Sequence, residues 1–112
     1  MTKVSVIIPV YNTGDLLNRT LESVARQTLS DIEIICVDDC STDNSLAILK
    51  EWEQKDSRVR VISFEQNGGV SRARNTGIDE SRGEFVYFLD SDDWIDSDYL
   101  EAMYSKALET GQ

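Results

Sequence analysis

Residues 32–39 read Ile-Glu-Ile-Ile-Cys-Val-Asp-Asp, an almost unbroken apolar run that stops on two carboxylates. A strand with one face in water alternates apolar and polar residues, whereas a nearly continuous apolar run suits a strand covered on both faces, as in a parallel sheet. Three more short runs share this character: residues 4–10 (VSVIIPV), 59–64 (VRVISF) and 85–89 (FVYFL). The gaps between successive runs are about 20 residues, too long for hairpins and long enough for crossover helices. The pattern is βαβαβαβ, an α/β fold with a mainly parallel sheet of about four strands.

Helical periodicity fills the gaps. Leu16, Leu17, Leu21, Val24 and Ala25 are expected on one face after the first strand, with Asp15 in the first turn, where an acid complements the helix dipole. Ser41-Thr42-Asp43-Asn44 supplies capping oxygens ahead of an Ile48, Leu49, Trp52 stripe. Ala73 and Gly77 are small residues one turn apart, suited to close packing on a sheet. After the fourth strand, Ser97 or Asp98 can start a helix whose apolar face is Leu100, Met103, Tyr104, Ala107 and Leu108. The single proline, Pro9, is expected to end strand pairing rather than interrupt it.

The 112 residues allow one ordinary domain, 1–112, with no internal repeat or linker. With no histidine there is no Ser-His-Asp triad, no Cys-His dyad and no HExxH zinc site, so acid, base and metal chemistry falls to carboxylates. The 21 acids against 11 bases, a charge of −10, argue against a nucleic-acid partner, since Lys and Arg supply most of that affinity. Cys36 and Cys40 form neither a CxxC motif nor a disulfide scaffold, and read as reduced thiols. No leader pattern and no apolar run of ~18 residues is present, so the expectation is a cytoplasmic domain without a membrane segment, whatever a longer form carries.

Right-handed crossovers bring all four strand ends to one edge of the sheet, where ligands of open α/β sheets bind. The residues delivered there are Pro9-Val10-Tyr11-Asn12, Asp38-Asp39, Asn67-Gly68-Gly69 with Arg72 and Arg74, and Asp90-Ser91-Asp92-Asp93. Asp90 and Asp92 at alternate positions can aim one carboxylate at a sugar hydroxyl and the other at a hard cation, for which oxygen ligands suit Mg2+ or Mn2+. Six of the twelve residues 90–101 are acidic and none is basic, a repulsion that a cation relieves. A solvated acidic turn that caps the next helix is the plainer alternative. An EF-hand loop is a poor fit, because Ile95 stands where its glycine is required. Of the Asp38-Asp39 pair, Asp38 is expected to cap the following turn. The glycine turn can offer amides and guanidinium donors to a nucleotide, or be a plain turn followed by surface arginines. Neither GxxxxGK[ST] nor GxGxxG occurs.

Together VSVIIPVYN (4–12), IICVDDCSTDNS (34–45), NGGVSRARNTGI (67–78) and GEFVYFLDSDDW (83–94) resemble the N-terminal half of a glycosyltransferase family 2 enzyme. The resemblance implies a Rossmann-like GT-A fold with strand order 3-2-1-4. It also implies a nucleotide-sugar donor, usually a UDP-sugar, and inverting transfer to an acceptor hydroxyl on a carbohydrate, lipid-linked or protein substrate, as in polysaccharide synthesis. In that family's pattern Pro9, Val10 and Tyr11 stand beside the base and ribose, Asp39 accepts the base N–H, and Arg74, with Arg72, is the basic position of the third motif. In the DxD-like motif Asp90 approaches the ribose or sugar, and Asp92 coordinates Mn2+ or Mg2+ at the diphosphate.

The family's catalytic base and acceptor site lie beyond this stretch. The chain is therefore expected to be a truncated, donor-binding half that is inactive alone, with an exposed sheet edge through which copies could associate. Two readings from other classes remain: a non-catalytic nucleotide-binding or regulatory module, and a receiver-type signalling domain. In the latter the acid pair should follow the first strand rather than the second.

Overall fold

The computed structural model describes residues 2–110, so Met1, Gly111 and Gln112 of the 1–112 domain expectation lie outside the described residues. Strands β1 (Val4–Val10), β2 (Ile32–Asp38), β3 (Val59–Ser63) and β4 (Phe85–Phe88) alternate with helices α1 (Gly14–Ala25), α2 (Ser45–Lys55), α3 (Val70–Glu80) and α4 (Tyr99–Thr110). The sheet order is β3-β2-β1-β4 and every pairing is parallel. From β1 the chain steps outward to β2 and β3, then returns through α3 to place β4 on the other side of β1. The reversal opens a crevice at the carboxyl ends of the strands.

Strand alternation builds two cores. Val4, Val6, Ile8 and Val10 of β1 join Ile34 and Cys36 of β2 on the face covered by α1, α2 and α4, through Leu17, Leu21, Val24, Leu49, Trp52 and Leu100. Ile7, Ile35 and Val37 face α3, where Ala73 completes a smaller cluster. Gly77 lets α3 sit close, since a Cβ there would run into the Ile7 side chain.

The central strands match the expectation of cover on both faces; β4 does not. Along β4 partly buried Phe85 and Tyr87 alternate with exposed Val86 and Phe88. β4 lies at the sheet edge, and α3 packs over β1 and β2, so one β4 face is left open. Pro9 ends pairing on one side only: the β1–β4 register stops at Ile7 and Phe88, whereas toward β2 it stays in register with Val37 and Val10 pairs Asp38. Ile7 O accepts from Leu89 N on the β4 side and Val10 O accepts from Asp39 N on the β2 side. By this alternation Pro9 turns its donorless nitrogen toward the β4 side, where pairing stops, and leaves the ladder to β2 intact.

Candidate functional site

A cleft of about 460 Å³ opens where the strands end. Pro9, Val10 and Tyr11 line it at the end of β1, Asp39 after β2, Asn67, Gly69 and Ala73 after β3, and Asp90, Ser91 and Asp92 after β4. Six of the eight candidate residues named from sequence therefore share one cavity. Arg72 and Arg74 do not line it; each instead lies against an aspartate that does. Arg72 Nη2 approaches Asp39 Oδ1 at 3.5 Å and its guanidinium stacks on Phe64. Arg74 Nη2 is 3.8 Å from Asp90 Oδ1, and its guanidinium lies over Phe88.

Asp39 is buried, and its two oxygens accept from Gly68 N and Gly69 N, both at 2.8 Å. The glycine amides anticipated as anion donors are thus engaged by an aspartate of this chain. Oδ1 also takes Arg72 Nη2, whereas Oδ2 keeps a lone pair, and the residue still lines the cleft. Gly69 has φ +91, and a Cβ on it would meet nothing within 4 Å, so glycine is required here for its backbone angle and not for space. Asp38 takes the capping role expected of it, accepting from Ser41 N at 3.2 Å.

The Tyr11 wall is tied to the next loop. Asn12, in the left-handed region at φ 53, donates its N–H to Ser41 Oγ and accepts Thr42 N at 2.8 Å on Oδ1. Asp43 Oδ2 accepts Gly14 N at the start of α1, and its Oδ1 accepts Ser45 N at the start of α2. These bonds, with that of Ser45 Oγ in particular, hold the Asp43 carboxyl below its ordinary value. Sequence reasoning placed these oxygens on α2 alone; the bond to α1 depends on the two loops being neighbours across the sheet edge.

On the far wall Asp93 N donates to Asp90 O at 3.0 Å, closing a turn over residues 90–93. Ser91 is buried beneath it and accepts from Thr13 Oγ1 at 2.7 Å, while Asp90 and Asp92 line the cleft. Thr13 and Val70 also line the cleft and were not legible as site residues, because neither carries a charge or motif position that marks it.

No group of three or more His, Cys, Asp or Glu able to enclose a metal ion exists among the described residues. The charged groups that line the cleft are all carboxylates, with no thiol or imidazole among them. They fit a hard cation of the kind held by one or two carboxylates together with substrate phosphates, not one caged by protein. Arg74 lies beside Asp90, whereas Asp92 has no ion-pair partner among the described residues.

The family profile described as glycosyl transferase family 2 matches residues 5–112. The chain belongs to that family. It is 47% identical over 107 residues to the glycosyltransferase GlyA of Streptococcus pneumoniae serotype 4, covering 96% of this chain and 15% of GlyA. Among solved structures, S. aureus TarS 1–349 in complex with UDP-GlcNAc superposes with a TM-score of 0.89 at 37% identity, over 96% of this chain and 32% of TarS 1–349. The mannosyltransferase PcManGT of Pyrobaculum calidifontis, solved with GDP-Man and Mn2+, gives a TM-score of 0.77 at 26% identity, over 82% of this chain and 28% of PcManGT. The chain thus spans under a third of the length of these three relatives. Sheet order 3-2-1-4 and the interleaved helices are those of the GT-A N-terminal half. No helix among the described residues is long and apolar enough to cross a membrane.

Proposed function

We propose that this chain is the donor-binding half of a cytoplasmic glycosyltransferase that moves a sugar from a nucleoside-diphosphate sugar, in our reading a UDP-sugar, to an acceptor hydroxyl with inversion. The observation that carries the proposal is the convergence of Tyr11, Asp39, Asp90 and Asp92 from three strand ends on one cleft. Family membership and the likeness to a chain solved with UDP-GlcNAc support the donor class.

In this reading Pro9, Val10 and the half-exposed ring of Tyr11 supply an apolar wall for the base and ribose. The remaining lone pair on Asp39 Oδ2 accepts the base N–H, and Asp90 reaches the ribose or sugar hydroxyls. Arg72 and Arg74 hold Asp39 and Asp90 from behind and moderate the charge of an acidic cleft. Asp92 would hold Mn2+ or Mg2+, which supplies Lewis-acid stabilisation of the charge that collects on the departing diphosphate. In the transfer the acceptor oxygen bonds to the anomeric carbon as the bond from that carbon to the diphosphate oxygen breaks, with the electron pair leaving on the diphosphate. The acceptor proton goes to a base that we assign to none of the described carboxylates. The acceptor site and that base belong, in our reading, to the length of the relatives beyond the match.

Calorimetric titration of UDP in Mn2+ and in EDTA tests the proposal. Binding is expected to strengthen with Mn2+, and Asp92→Ala is expected to lose about tenfold or more of the affinity in Mn2+, equivalent to about 1.4 kcal/mol. Affinity that is equal in Mn2+ and EDTA, or unchanged in Asp92→Ala, contradicts the metal role; no UDP binding contradicts the donor site.

A further inference from the structure

We propose that Thr20, outside the cleft, is the positioning residue that sets the Asp90–Asp93 turn so that its carboxylates can share a cation with a diphosphate. The inference deepens the donor-site reading and rests on it. Thr20 lies on α1 between buried Leu17 and Leu21 and is itself fully buried. A threonine inside a helix ordinarily bonds the carbonyl four residues back. Here Leu16 O is 3.4 Å from Thr20 Oγ1, whereas Asp93 O is at 2.6 Å and Ser91 O at 2.8 Å. Both nearer carbonyls lie within reach of the one hydroxyl proton, which gathers alternate peptides of the turn at a single point on α1.

Other bonds act in the same direction. Thr13 Oγ1 bonds Ser91 Oγ, and Arg19 Nη2 donates to Asp92 O at 3.3 Å. The carbonyls of Ser91, Asp92 and Asp93 all bond side chains of α1, and Asp90 and Asp92 line the cleft. A turn fixed at its backbone presents its carboxylates without having to order them at the moment of binding. Nothing in the local sequence marks Thr20 for this task, since its partners lie more than seventy residues away.

The test separates positioning from general stability. Thr20→Val keeps the shape and removes the hydroxyl, while Thr20→Ser keeps the hydroxyl. UDP is titrated into the wild-type chain and both variants in Mn2+ and in EDTA, with circular dichroism and melting as the check on folding. Thr20→Val is expected to lose about 10–100-fold in UDP affinity with Mn2+, the range for residues that orient metal ligands, and to change by less than about twofold in EDTA. Thr20→Ser is expected to match the wild type in both conditions. Wild-type affinity in Thr20→Val with Mn2+, equal losses with Mn2+ and EDTA, or failure of Thr20→Ser to rescue each overturns the inference. If valine prevents folding, Thr20→Ala, which adds no bulk, is read by the same criteria. A wild-type chain that binds no UDP overturns the donor-site reading, and this inference with it. A wild-type chain that binds UDP without any help from Mn2+ overturns the inference and leaves the nucleotide site standing.

Discussion

Asp39 contributes to the fold and to the cleft at once: it anchors the Gly68-Gly69 turn through two amides while lining the cavity. That the carboxylates gather at one edge was legible from their place after apolar runs. The direction of the arginines was not. Arg72 and Arg74 are long enough to reach the cleft, yet each takes a stacked place on an aromatic ring, Phe64 or Phe88, beside an aspartate. Spacing along α3 fixes where such a side chain starts and says nothing of which neighbour it meets. The two cysteines give a contrast that can be measured. Burial, with the Glu53 charge adding to it, pushes the Cys36 thiol up to about 12, whereas Cys40 is half-buried at the loop surface. Because the thiolate is the reactive form, an alkylating reagent at about pH 8 is expected to modify Cys40 alone in the folded chain, and Cys36 only after unfolding. Mass spectrometry of digested peptides reads this directly, and prompt labelling of Cys36 in the native chain would contradict it.

Elements were legible where their apolar period was strong and less so at their ends. On α1, Leu17, Leu21 and Val24 are buried as expected, but Leu16 is exposed, because it lies off the buried stripe that Leu17, Thr20, Leu21 and Val24 form. On α4, Leu100 is buried and Leu108 exposed, the apolar stripe outrunning the sheet that covers it. The turn between α2 and β3 carries an ion pair that composition cannot reveal. Asp56 accepts from Arg58 Nη2 at 2.9 Å, and Arg58 Nη2 also donates to Ala25 O beyond the end of α1's buried face. The hydrogen bonds from Arg58, led by those of its side chain, hold the Asp56 carboxyl below its ordinary value despite partial burial. A carboxyl depressed in the folded state binds its proton more readily in the unfolded chain. Its contribution is therefore present above the unfolded value of about 3.9 and lost as pH falls through the lower folded value. Asp56→Asn is expected to be less stable than the wild type by about 1 kcal/mol at neutral pH. In denaturant titrations that gap should close on acidification below about pH 4; a gap independent of pH would show that the charge contributes nothing.

At the scale of the molecule, sheet order and the grouping of functional residues follow from few constraints. Right-handed crossovers of the observed length force parallel strands, and parallel strands bring every loop that follows a strand to one edge. What the sequence could not show is how unequally the sheet is covered. Three helices share one face while α3 alone covers the other, so Val86 and Phe88 of β4 and Ile78 of α3 remain exposed. In the proposed reading a cation would relieve the repulsion between a diphosphate and this acidic rim, where Asp90 has Arg74 beside it and Asp92 has no ion-pair partner among the described residues. The central claim is that the donor diphosphate and its cation sit at the carboxyl edge of the sheet, against the turn after β4. Amide-resolved NMR of the chain titrated with UDP, then with a trace of paramagnetic Mn2+, tests that claim most directly. The account predicts UDP-induced shifts at Tyr11, Asp39, Gly68 and Gly69, with Mn2+ broadening centred on residues 90–93 and no change at Lys3, Asp31 and Gly83 on the opposite edge. Shifts or broadening centred on that opposite edge, or none at all, would contradict it.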